Sequence, residues 1–156
     1  MSRKTIIMFS GDLDKAMAGL IIANGAAAMG DEVTIFFTFW GLNLLRKAQK
    51  VNVRKTFMEK MFGFMMPRGA DKLGLSKMNF GGMGKAMMKD IMRKKNVNSL
   101  PQLISTAQDM GVKFIACTMS MDVMGIKPEE IIDGVEYAGV ATYLGEADEA
   151  NVNLFI

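Results

Sequence analysis

Apolar residues along this chain fall into short blocks separated by turn residues, and the blocks alternate between a strand period and a helix period. Residues 3–9 start with Arg3-Lys4 and run into Thr5-Ile6-Ile7-Met8-Phe9. A continuous apolar run of this length predicts a strand buried on both faces, as in a parallel sheet. Ser10-Gly11-Asp12 follows as a turn rich in N-cap residue types. Residues 13–29 carry Leu13, Met17, Leu20, Ile21 and a string of alanines, which predicts a helix that Gly30-Asp31 stops. Residues 32–39 are rich in β-branched and aromatic side chains and predict a second strand. Strand, helix and strand in so few residues make a βαβ unit with a right-handed crossover. Trp40-Gly41 closes the second strand, and a basic helix is expected over Leu42 to Lys50.

The pattern then loosens. Residues 51–95 predict a short amphipathic helix over Thr56 to Met66, a loop from Pro67 to Gly84, and a second short helix over Lys85 to Lys95. Regularity returns with Ser99 as N-cap, Pro101 in the first turn, and Leu103, Ile104, Ala107 and Met110 on one helical face. A buried strand over 112–117 follows, then a helical turn over Met121 to Met124. Lys127-Pro128-Glu129-Glu130 reads as a helix start, with acids in its first turn. Val135 to Tyr137 predicts a short strand or turn, Gly139 to Ala150 a helix, and 151–156 a C-terminal strand. Alternating strands and helices predict a single α/β domain over 1–156, with a mainly parallel sheet of about five strands. The expected core includes Ile6, Ile7, Phe9, Val33, Ile35, Phe37, Phe114 and Ile115.

Charge changes this picture in one place. The net charge is only +3. Residues 41–95 nevertheless hold 14 Lys and Arg against 3 Asp and Glu, so a basic segment sits on an acidic body. The same region, between 51 and 95, holds 9 of the 17 methionines and the cluster Gly81-Gly82-Met83-Gly84. It reads as a Met/Gly-rich insertion with its own task, since Met-rich faces adapt to irregular contacts. The glycine cluster lacks the Gly-Lys-Ser/Thr ending of a phosphate loop and does not follow a strand. The basic residues lack interleaved aromatics, so no nucleic-acid partner is expected. Membrane contact through a basic amphipathic face is a secondary option. No apolar run approaches the ~18–20 residues of a spanning helix, and the N-terminal run lacks a signal-peptide cleavage pattern. The chain is expected to be cytoplasmic and, from its load of methionines and aromatics, a homo-oligomer.

Candidate chemistry centres on Cys117, the only cysteine in a chain with no histidine. A Cys–His pair is impossible, no internal disulfide can form, and neither a metal site nor a cofactor is expected. Ligands of open parallel sheets bind beyond the carboxyl ends of the strands. Three strands end in Ser10-Gly11-Asp12, Thr38-Phe39-Trp40-Gly41 and Cys117-Thr118-Met119-Ser120, which should share one edge. Backbone amides there could lower the thiol pKa and hold an anion, with Ser10, Gly11, Asp12, Trp40, Thr118, Met119 and Ser120 as substrate- or anion-binding candidates. Each has a plainer reading: Cys117 as a small core residue, Ser10-Gly11-Asp12 as a helix cap, and Phe39 and Trp40 as core or interface. A dinucleotide fingerprint is missing after the first strand, where only Gly11 is present.

The segments Ser10-Gly11-Asp12-Leu13-Asp14-Lys15-Ala16, Val33 to Gly41, and Ile115-Ala116-Cys117-Thr118-Met119-Ser120-Met121-Asp122 with Met124-Gly125-Ile126 resemble the DsrE/DsrF-like family. The likeness is to the branch with a long Met-rich insertion. It implies a three-layer, flavodoxin-like α/β sandwich assembled as a trimer or hexamer. It also implies a sulfur carrier or sulfurtransferase in which Cys117 holds sulfane sulfur as a persulfide. The partners would be sulfur-donor and sulfur-acceptor proteins or small thiols. The second cysteine and the nearby histidine of some relatives are absent. The alternative, from another class, is a non-catalytic binding or scaffold protein acting through the basic Met-rich segment.

Overall fold

The computed structural model describes residues 1–156. Five strands, β1 (Arg3–Met8), β2 (Glu32–Phe37), β3 (Lys113–Cys117), β4 (Val135–Ala138) and β5 (Val152–Phe155), form one sheet in the order β4-β3-β2-β1-β5. Every neighbouring pair is parallel. Six helices accompany them: α1 (Leu13–Ala28), α2 (Phe57–Met65), α3 (Met83–Lys94), α4 (Leu100–Asp109), α5 (Thr118–Met124) and α6 (Val140–Asp148). This is the α/β sandwich that the alternation of periods predicts, with a wholly parallel sheet. No helix is long and apolar enough to cross a membrane.

The chain steps from β1 to β4 in one direction and then crosses back to lay β5 on the free side of β1. With right-handed crossovers, that reversal puts α6 on the face opposite α1 and α4. The two faces are covered unequally. On the α1/α4 face, 27 buried residues form the main core, among them Ile6, Met8, Val33, Ile35, Phe37, Phe114 and Ala116. Phe37 and Phe114 lie side by side across β2 and β3, with ring centroids 5.1 Å apart. Side chains alternate across a strand, so Phe36, Ile115 and Cys117 point the other way and meet Tyr143 of α6. The expected core residues Ile7 and Phe9 are only partly buried. Ile7 faces the thinner α6 layer. Phe9, just past β1, packs between Phe39 and Phe155 with centroids 5.8 and 5.7 Å away.

Two expected helices fail to form, for one reason. Phe39–Leu45 is a seven-residue 3₁₀ helix that ends at Leu45, and no α-helix runs on to Lys50. Pro128–Glu130 is only a single 3₁₀ turn. Between them, Arg46 and Ile131 form an antiparallel bridge. The Lys47 amide donates to the Glu130 carbonyl at 2.7 Å and the Ile132 amide to the Leu45 carbonyl at 2.9 Å. Backbone groups committed to this long-range pairing cannot serve a helix. In the other direction, α5 is longer than the expected turn, because it begins directly after Cys117.

The bridge carries a buried ion cluster. Arg46 and Glu130 are 2% and 3% exposed. The Glu130 carboxylate lies 3.8 Å from the Arg46 guanidinium and 2.7 Å from Lys55 Nζ, and it accepts the Lys127 amide at 2.8 Å. Lys55 belongs to the basic insertion, so this cluster ties residues 51–95 to the body. A second tie is Asp14, whose carboxylate accepts the Ser76 amide at 2.9 Å and the Ser76 hydroxyl at 2.5 Å. Burial pulls the Asp14 carboxyl upward, but the two Ser76 hydrogen bonds outweigh it and hold it below its ordinary pKa. Helix α2 begins with a capping box between Thr56 and Glu59. The insertion gives Met66, Ala70 and Leu73 to the main core and buries Met92 as well. It leaves Phe57, Met58, Phe64, Met65, Met83 and Met87 exposed.

Glu130 is the only carboxylate paired with Arg46 or Lys55. Glu130→Gln should therefore leave two buried cations uncompensated and cost about 3–5 kcal/mol, the usual loss on breaking a buried pair from one side. Urea denaturation checks this. A midpoint equal to that of the parent protein would mean that the cluster contributes no net stability.

Candidate functional site

Because β3, β2 and β1 are adjacent and parallel, their carboxyl ends deliver three connecting segments to one edge of the sheet. The β1 and β2 segments are fastened together. The Gly41 amide donates to the Phe9 carbonyl at 2.9 Å and the Thr38 amide to the Met8 carbonyl at 3.1 Å. Both glycines in this junction are required by space. A Cβ on Gly11 would stand 2.8 Å from the Trp40 carbonyl oxygen, and one on Gly41 would overlap the Met8 carbonyl oxygen. Phe39 between them takes a positive φ of 45°, which is strained for an aromatic residue. The β2 and β3 segments are joined by side chains, with the Thr38 and Ser120 hydroxyl oxygens 2.6 Å apart.

The structure thus gathers Ser10, Gly11 and Trp40 at the β1–β2 junction, and Thr118, Met119 and Ser120 directly after β3. The Ser10 amide donates to the carbonyl of Ile156 at 3.1 Å, which seats the C-terminal residue beside this edge. Asp12 stands at the N-cap position of α1, but its side chain makes no cap bond. Its carboxylate pairs instead with Lys15 at 3.3 Å. Trp40 is 45% exposed, neither core nor fully in solvent. Thr118 and Met119 are exposed, whereas Ser120 is fully buried.

Cys117 is the last residue of β3 and only 3% exposed. Its side chain lies on the α6 face among Phe36, Ile115 and Tyr143, with Ile7, Ala138 and Ala147 beside them. It occupies the N-cap position of α5, yet its side chain makes no hydrogen bond to the helix amides. The hydroxyls expected near it are engaged elsewhere: Ser120 with Thr38, and Thr118 with the Ala138 carbonyl at 3.5 Å. The shared edge read from the sequence is therefore present, but the Cys117 side chain packs on the α6 face and bonds to none of the amides expected to hold an anion. The reason is the strand period. Only every second β3 side chain faces the core of α1 and α4, and Cys117 falls in the same set as Ile115.

Tyr143 was not legible as part of this site. Its ring stacks near Phe36 with centroids 5.2 Å apart, and its hydroxyl lies 3.3 Å from Thr5 Oγ1. The only clue was an aromatic residue in the last helix. Chemically, the arrangement is a single thiol in a dry apolar cup, roofed by α6 and one residue from exposed Thr118. No group of three or more His, Cys, Asp and Glu side chains is placed to hold a metal ion.

A five-stranded, all-parallel α/β sheet with its one thiol at the carboxyl edge defines the class of protein. The DsrE/DsrF/DrsH-like family profile matches residues 1–155. The chain is 64% identical over 154 residues to the uncharacterised protein YrkE of Bacillus subtilis, covering 99% of this chain and 96% of that one. It is 44% identical over 155 residues to the sulfur carrier protein DsrE2 of Allochromatium vinosum, covering 97% and 96%. The crystal structure of the ychN protein from E. coli superposes over 100% of both chains with a TM-score of 0.59 at 11% identity, a likeness of fold. This chain belongs to the DsrE/DsrF/DrsH-like family.

The glycine requirement is open to test by urea denaturation. Gly41→Ala should cost about 3 kcal/mol, the upper end for overpacking against neighbours that cannot move. Gly145→Ala, where a Cβ in α6 meets nothing within 4 Å, should stabilise by up to about 1 kcal/mol through helix propensity. Equal effects at the two sites would show that the β1–β2 junction can relax.

Proposed function

We propose that this protein is a sulfur carrier that holds sulfane sulfur on Cys117. The observation that carries the reading is the position of the only thiol, at the strand edge where three connecting segments converge. Near-full-length identity of 44% to a protein named as a sulfur carrier supports it. The Cys117 thiolate attacks the outer sulfur of a donor persulfide or polysulfide. A new S–S bond forms on Cys117, the donor S–S bond breaks, and the donor leaves as a thiolate. An acceptor thiolate then attacks the terminal sulfur, and Cys117 leaves as its own thiolate. Sulfur keeps its oxidation level throughout, so no external oxidant or reductant enters.

The apolar cup suits the loaded state, because a persulfide lasts longer where water and other thiols are excluded. Loading requires Cys117 to be uncovered, and α6, which lays Tyr143 and Ala147 over it, is the element whose displacement does this. Donor and acceptor are thiol proteins or small thiols. The α6 face favours self-association, as in a trimer or hexamer, because Val140, Leu144 and Phe155 remain exposed there. The exposed apolar side chains of α2 and α3 favour a second reading, a binding or scaffold protein that docks partners through the basic Met-rich segment.

Incubation with polysulfide, followed by intact mass, should add one sulfur atom to the wild-type chain and none to Cys117→Ala. Loss of a buried thiol of this size is tolerable, so the variant should stay folded. Sulfur uptake by the variant would overturn the carrier reading. A native thiol inert to both polysulfide and alkylation at neutral pH would favour the scaffold reading.

A further inference from the structure

The basic insertion encloses a cavity that plays no part in the sulfur reading. It has a volume of about 690 Å³ and lies among Lys50, Lys55, Lys60, Phe64, Arg68 and Glu130. Four cations thus face one carboxylate. That carboxylate is already shared by Lys55 at 2.7 Å and Arg46 at 3.8 Å. Lys50, Lys60 and Arg68 form no ion pair. Arg46, directly behind the wall at Gly63 and Glu130, keeps a buried Nε with no hydrogen-bond partner. Burial first, and then the nearby Arg68 charge, push its pKa below the ordinary value, against the opposite pull of Glu130. A surface with this excess is unfavourable when empty and complementary to a multiply charged anion.

Size narrows the class. The volume is within the ~300–1,000 Å³ typical of small-molecule sites and far exceeds one tetrahedral oxyanion. Arg68 supplies the planar fork suited to phosphate oxygens, and the lysines supply mobile point charges. The exposed Phe64 ring and the partly buried Val51 and Val53 add an apolar side to the same opening.

We infer that this cavity binds a diphosphate group, either free or as part of a larger organic molecule. Helix α2, which lends Lys60, Gly63 and Phe64 to the cavity, packs its Glu59 against Gly125, at the end of α5 away from Cys117. The site is independent of whether Cys117 carries sulfur.

Isothermal titration with pyrophosphate, ADP and inorganic phosphate at about 0.15 M ionic strength tests the site under realistic screening. Pyrophosphate or ADP should bind with one site per chain, at least about tenfold more tightly than inorganic phosphate. ADP tighter than pyrophosphate identifies an organic diphosphate; equal affinities identify the free group. The Lys60→Gln/Arg68→Gln double variant should weaken binding on the order of tenfold or more. Lys95→Gln, an exposed cation outside the cavity, should change it less than about twofold. Both variants replace side chains that are exposed or half-buried, and circular dichroism confirms their folding. Absence of binding by both diphosphates, equal binding of inorganic phosphate, or equal weakening by Lys95→Gln would each overturn the assignment.

Discussion

Two parallel strands cannot be joined by a tight turn; each pair needs a crossover that returns the chain to the starting end of the sheet. Here that constraint applies to all five strands, and most of the molecule follows from it. Every crossover leaves from the carboxyl edge, so the segments after β1, β2 and β3 must meet there. They meet closely enough that Gly11 and Gly41 have no room for a side chain. The same constraint decides which layer each helix occupies. Four strands wound in one direction place α1 and α4 on one face, and the single reversal before β5 leaves the other face to α6 alone.

That asymmetry gives Cys117 its surroundings. In β3 the side chains alternate between a thick layer and a thin one. Phe114 and Ala116 enter the main core, and Ile115 and Cys117 lie under a nine-residue helix. A thiol under a thin cover can be both dry and close to the surface, whereas one beneath α1 and α4 would be inert packing. One residue of register therefore separates a candidate carrier cysteine from a core cysteine.

Much of this was legible from pattern. The apolar runs at 3–9, 32–39 and 112–117 became strands because each is short, continuous and bounded by turn residues. The shared edge followed from their being parallel. Positions governed by long-range pairing were not legible. Leu42 to Lys50 and Lys127 to Ile132 each have acceptable local helix signals, yet they spend their backbone groups on each other across the chain. No local rule reports a partner more than eighty positions away. The direction of the Cys117 side chain was hidden for a similar reason: it depends on which face the reversal before β5 leaves thinly covered.

The basic insertion shows how composition can mark a region without stating its physics. The charge count over residues 41–95 flagged a segment distinct from the acidic body, but it could not show that Glu130, far along the chain, would be buried between Arg46 and Lys55. Burying a carboxylate is costly unless cations and donors surround it, and the insertion supplies them in excess. Neutralising Glu130 consumes Lys55 and part of Arg46, and Lys50, Lys60 and Arg68 remain unpaired around the same cavity. A segment whose only task was to cover the body would need no such surplus, since each further unpaired cation raises the repulsion already acting on Arg46. The surplus is therefore better explained by a ligand than by folding, and the insertion acts as both anchor and binding surface.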